Sequence, residues 1–241
     1  MKEIINHLKS DWWKYGLETI VVIVGILVAF SLDNWNENRK TERLEIRYLE
    51  KLQTELVDDT IYYHNRINSS DNVMRQTNKL IHEAYKVQSN IEEFKRLIAP
   101  VPWESENFVA ENSTYEELKN TGQLNIIKNK NIKDEIVALY REHENVADHI
   151  AGMNELTRIE FYKIAPLLAK YSILNPEVFD QPEMFLDNEW SFINKPDSEK
   201  FRQLETAASL YYYKHKVFKN RFEDLLLKTR LLIDDIHREL E

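Results

Sequence analysis

No cysteine occurs among the 241 residues, and glycine and proline are scarce, at four and six. The first absence excludes disulfide staples, thiolate metal sites and a cysteine nucleophile. The second leaves too little turn chemistry for a sandwich or barrel. With 30 % charged residues, it points to an all-helical chain. Cations are also short: the net charge of −9 argues against nucleic acid as a partner. There is no G-x-S-x-G motif, and Gly25 and Gly122 belong to no phosphate loop. Asp234 and His237 form one carboxylate–histidine pair, where helical metal sites need several. His143 and His149 are six apart rather than four, so with Glu144 and Asp148 they read as a charged outer helix face. No catalytic, metal or cofactor residue is assigned, and the chain reads as a non-enzyme.

Long apolar runs are missing too, with one exception. From Ile20 to Phe30 there is no polar side chain. Eleven residues are short of the roughly 20 that cross a bilayer, but the flanks extend them. Trp12, Trp13 and Tyr15 lie on one side and Trp35 on the other, and such aromatics favour the headgroup level. Trp13 to Trp35 covers about 33 Å as a helix, close to the hydrocarbon thickness. Residues 15–35 are therefore expected to form an uncleaved transmembrane helix after a short tail, 1–14. Glu18, Val22, Gly25, Ala29 and Asp33 share one face of it. Gly25 and Ala29 make a small-xxx-small pair, and a carboxyl inside a span favours protein, water or the interface. This face is expected to mediate self-association. The alternative is an oligomeric ion or proton channel lined by Glu18.

Beyond the span, helical periodicity resumes at once. Leu49, Leu52, Leu56, Tyr63, Ile67, Met74 and Ile81 form one apolar stripe, so an ascending stalk helix is expected within 36–99. Asn68 to Asp71 is a soft spot in it. From Asp197 to the end, Leu204, Ala208, Tyr211, His215, Phe218, Phe222, Leu225, Thr229, Leu232 and Ile236 alternate four and three apart. This descending helix, 197–241, is expected to pair with the first in an antiparallel, coiled-coil-like stalk about 60 Å long. Paired residue numbers sum to about 285, setting Tyr63 against Phe222 and Ser70 against His215, a core histidine. Residues 100–196 are then a small helical head at the far end. Within them, Ser113 to Glu116 reads as a capping box and Gly122 as a helix stop. Helices are expected from about 131 to 153 and on to Tyr171. A proline-bearing loop, 175–196, is anchored by Phe179, Phe185, Trp190 and Phe192.

Two stretches resemble a known family. Glu18 to Glu37 runs through Gly25-Ile-Leu-Val-Ala29 into Asp33-Asn-Trp-Asn-Glu37. Thr114 to Asn129 matches a T-Y-x-x-L-x-x-x-G-x-L-x-x-I-x-N element. Together they are similar to an uncharacterised family of bacterial single-span membrane proteins, a domain of unknown function. The usual asparagine before Asn34 is Asp33 here. The resemblance implies an integral, mostly helical protein with its C-terminal domain outside the cytoplasm. Charge counting opposes that side: Lys2, Lys9 and Lys14 precede the span, whereas Arg39, Lys40, Arg43, Arg47 and Lys51 follow it. Long domains translocate largely regardless of such counts. The expectation is a bacterial inner-membrane protein with a cytoplasmic N-terminus and a periplasmic domain. Its expected partners are the lipid bilayer, itself and a further envelope protein. The function read from this is a non-enzymatic, membrane-anchored, self-associating scaffold.

Overall fold

A seven-residue repeat of buried positions organises the first helix. In the computed structural model, which describes residues 2–86, 91–98, 101, 103, 106–166 and 187–241, α1 runs unbroken from Lys2 to Ala84. Its 83 residues are about 125 Å long. The stretch beyond Gly16 is long and apolar enough to cross a membrane, and the described residues bury none of its apolar window. The stretch Asn68 to Asp71 does not break the helix. Leu49, Leu56, Tyr63, Ser70, Thr77 and Ala84 are all buried, as are Leu52, Asp59, Val73 and Leu80. The expected stripe is thus right up to Tyr63 and one residue out of phase above it. Ile67, Met74 and Ile81 are only half-buried, flanking the small side chains that occupy the seam.

The last helix, α5 (Glu199–Leu240), returns antiparallel along α1. Ser198 caps it, accepting a hydrogen bond from the Phe201 amide at 3.3 Å. All ten of its seam residues are buried. The pairing sum of about 285 holds. The rings of Tyr63 and Phe222 stack at 6.0 Å, and His215 Nδ1 lies 3.4 Å from the Ser70 hydroxyl. Farther up, Tyr85 meets Phe201 edge-on at 5.1 Å. Small Ser70, Thr77 and Ala84 leave room for the bulky residues of α5.

The middle of the chain departs from the expected distal head. Beyond α2 (Ile91–Ile98), residues 106–112 descend along α1 as an extended strap that leads into α3 (Ser113–Asn120). A 3₁₀ turn, Gln123–Ile126, follows beside Tyr48, at the end of the shaft nearest the apolar stretch of α1. Gly122, with φ of 68°, ends α3 in the left-handed region as expected. α4 (Lys130–Phe161) then climbs again, antiparallel to α5. It is one helix through Met153 and Gly152, rather than two. Residues 106–161 therefore lie beside the two long helices, turning the expected stalk into a three-helix shaft. The physical cause is a third stripe: Ile132, Ile136, Leu139, His143, Val146, Ile150 and Thr157 of α4 are buried and need a partner surface. Residues 167–186, with Phe179 and Phe185, lie outside the described residues. Phe192 sits in a 3₁₀ segment, Asp187–Asn194, and is buried against Phe94. The Trp190 side chain is also outside the described set.

Carboxylates of α1 hold the strap, the start of α3 and the link into α4. Glu45 accepts from the Lys128 amide at 2.6 Å, and Asp59 from the Glu111 amide at 3.0 Å. Glu55 accepts from the Thr114 amide at 3.1 Å and the Thr114 hydroxyl at 2.7 Å. The expected capping box is not what starts α3. Asn112 occupies the N-cap without a side-chain bond, and Glu55 supplies the acceptor from another helix. A carboxylate there also meets the positive end of the helix dipole.

Candidate functional site

The face expected to associate in the membrane exists as a helical face and has no partner among the described residues. Glu18, Val22, Gly25, Ala29 and Asp33 are all exposed. A methyl group added to Gly25 would meet nothing within 4 Å. Ser31 donates to the Leu27 carbonyl at 2.7 Å, so this hydroxyl is satisfied without a second helix. Trp13 and Trp35 are exposed at the two ends, and the Trp12 and Tyr15 side chains lie outside the described residues.

The core holds two polar places that sequence reasoning missed. The first is a cluster at mid-height in the lower half of the shaft. Tyr63, fully buried, shares a 2.7 Å hydrogen bond with His143 Nε2. His143 is thus a core residue and not part of a charged outer face; Glu144 and His149 do remain outside. Its position in the α4 stripe, seven residues from Ile136 and from Ile150, was the available signal. The Tyr115 and Tyr140 rings stack at 4.2 Å beside it. Asp59 is 1 % exposed, and its second oxygen has no hydrogen-bond partner among the described residues; nor do Tyr140 OH, His143 Nδ1 and Thr229 Oγ1.

Burial governs the ionisation of this cluster. It raises the Asp59 carboxyl to about 7, with Glu111 and Glu55 adding to the rise, and lowers His143 to about 4. It also raises the Tyr63 and Tyr140 phenols above their ordinary value. Every shift favours the neutral form. A hydrogen-bonded but uncharged cluster suits a specified core better than an activated nucleophile, which would need the opposite shifts. A cavity of about 340 Å³ adjoins it between strap and α4, walled by Phe108, Tyr115, Tyr140 and His143. At its mouth Glu116 and Glu144 both reach Lys119, at 3.3 and 3.8 Å.

The second place is a belt that separates the lower apolar core from the upper one. Lys214, 1 % exposed, donates to Asn154 Oδ1 at 3.4 Å and lies 4.2 Å over the Tyr211 ring. Burial, then the Arg66 charge, lowers its ammonium to about 8. Burial, then Lys214 and Arg66, lowers His215 to about 3. Arg66 itself pairs with Glu106 of the strap. Asp234 and His237 are exposed at the far end of α5, and among the described residues no three carboxylate or histidine side chains converge on a metal site.

With this geometry in place, the comparisons are brief. A family of unknown function, DUF6090, matches residues 18–147. The match covers more than half of the chain. It takes in most of the apolar segment, the strap and α4 as far as Ala147, and ends before α5. No curated protein and no solved structure matches the chain.

Proposed function

We propose, from the premise that this chain belongs to the DUF6090 family of unknown function, that it is a membrane-anchored, self-associating helical scaffold of the bacterial envelope with no enzymatic role. One observation carries the reading: α1 is a single helix through both the apolar segment and the shaft. A continuous helix has no linker in which motion could be lost. The rotation and spacing of associated spans would therefore set the rotation and spacing of the shafts. The inner membrane is the proposed site, with the N-terminus cytoplasmic, the shaft periplasmic, and a further envelope protein as the shaft's partner. The residue-by-residue resemblance supports that side.

The span would associate through Glu18, Val22, Gly25, Ala29 and Asp33. Gly25 and Ala29 allow close backbone approach, and a carboxyl in lipid is relieved by facing another helix. The test is the stoichiometry of the full chain in nanodiscs, counted by single-molecule photobleaching. An oligomer that dissociates on Gly25→Leu supports the proposal, because the leucine side chain separates the backbones. A monomer in both forms would sink it. Conductance that needs Glu18 in a ring of five or more spans would replace the scaffold with the channel.

A further inference from the structure

The direction in which Gly25 points continues into the shaft, because α1 is one helix through both. At about 100° per residue, Gly25, Arg43 and Ile61 stand about five turns apart on a single line. Arg47, Glu50, Thr54 and Val57 fall within about 40° of that line. From Arg43 to Ile61 every one of these residues is exposed. The covered side is opposite. Leu49, Leu52, Leu56, Asp59, Tyr63 and Ser70 are buried, and they point about 120–180° away from Gly25. α5, α4 and the strap meet α1 on that side, through Phe222, His143 and Glu111. The line from Gly25 to Ile61 therefore runs along the open flank of α1.

This flank collects the exposed apolar side chains of the helix. Between Leu44 and Ala84 the large hydrophobic residues left exposed by the described residues are Ile46, Val57 and Ile61. All three lie within about 60° of the Gly25 line, and the other exposed residues of that stretch are polar. Val57 and Ile61 are one turn apart, the spacing of a ridge that packs into the groove of a second helix. The charges beside them suit a second copy in parallel. In a two-fold pair facing along the Gly25 line, the edge bearing Arg47 on one copy meets the edge bearing Glu50 on the other. These residues lie about 40° and 20° to either side of the line, and about 4.5 Å apart in height. Each copy thus offers an ion pair to its partner. Arg43 meets its own counterpart, but in water, where repulsion between exposed charges is screened beyond about 8 Å at physiological salt.

We infer that two copies of this chain pack α1 against α1 in parallel, from the span into the shaft, with Val57 and Ile61 of each copy against those of the other. This rests on the self-association proposed above and adds what that association does to the shafts. They stand back to back, with α4, α5 and the strap facing outward. The geometry has a clear rival. Ile61 stands about 54 Å above Gly25, so spans crossing at the roughly 40° common for small-xxx-small pairs would hold the two Ile61 residues more than about 30 Å apart.

Because the chain has no cysteine, single-cysteine variants of the full chain report proximity without background. Val57→Cys, Ile61→Cys, Val109→Cys and Leu227→Cys are each placed in nanodiscs and oxidised, and the covalent dimer is followed by denaturing electrophoresis. The same samples are counted by single-molecule photobleaching. Val109 on the strap and Leu227 on α5 are more exposed than Val57 and Ile61 and lie on elements behind the open flank. A disulfide needs Cα atoms within about 7 Å, so position 57 or 61 should bridge at least about tenfold faster than either control. Paired copies in which neither 57 nor 61 bridges faster than 109 and 227 overturn the shaft contact and leave self-association standing. Single copies throughout overturn both.

Discussion

Asp59→Asn removes one ionisable proton from the core and should change how stability depends on pH. Asp59 is buried beside Tyr63, and its Oδ1 accepts the Glu111 amide; an asparagine keeps that acceptor. The carboxyl titrates near 3.8 unfolded and near 7 folded. A raised carboxyl contributes stability that is full below the unfolded value and is lost as pH rises through the folded one. Each unit is worth about 1.4 kcal/mol. Between pH 5 and pH 8 the native chain should therefore lose roughly 3 kcal/mol at this site, and the variant none. The stability difference between the two proteins should grow by that amount, and any constant offset from the amide cancels. His143 and His215 act oppositely: lowered from 6.5 to about 4 and about 3, they contribute stability above pH 6.5 that is lost on acidification. At pH 5 unfolding thus takes up two protons at the histidines and releases one from Asp59. The native slope should be about 1.4 kcal/mol per pH unit, and that of the variant about twice as steep. Urea unfolding of the full chain in non-ionic detergent, followed by far-ultraviolet circular dichroism at pH 5, 6, 7 and 8, measures both. A difference between the proteins that does not change with pH would refute the argument.

The remaining expectations concern the seam and the strap. Phe218→Asp should cost at least about 4 kcal/mol, because it replaces a buried ring with an unpaired charge, whereas Lys219→Ala should cost about 1 kcal/mol or less. Lys219 is not silent, since it binds Asp71 at 2.9 Å, but the pair is partly exposed. Urea melts of the two variants check this, and equal losses would remove the seam from the account. Glu55→Ala should cost about 1–3 kcal/mol by leaving the first turn of α3 without its acceptor. Hydrogen exchange should quicken at residues 113–116 before it does in α4, and unchanged protection there would show that the cap contributes nothing.

Much of this architecture is written in spacing. Spacing alone determined α5, whose ten residues from Leu204 to Ile236 are all buried, and its register against α1, because a periodic stripe must find a partner of matching length. It also determined that the N-terminal stretch is a helix long and apolar enough to cross a membrane, which depends only on the length and apolarity of one run. Where hydrophobicity and period disagreed, period won. Ser70, Thr77 and Ala84 continue the repeat of Leu49, Leu56 and Tyr63, although Ile67, Met74 and Ile81 are more apolar. His143 was misread for the same reason, as a polar side chain in a buried phase. The tertiary structure decided what no local pattern encodes. It folded residues 106–161 back beside the long helices, since α4 buries its stripe against both α5 and α1, as the Tyr63–His143 hydrogen bond shows. It gave α3 its cap from Glu55, 59 residues away from Thr114 in the chain. It also placed Asp59 out of water, where a carboxyl that looks like any surface acid holds its proton to near neutral pH.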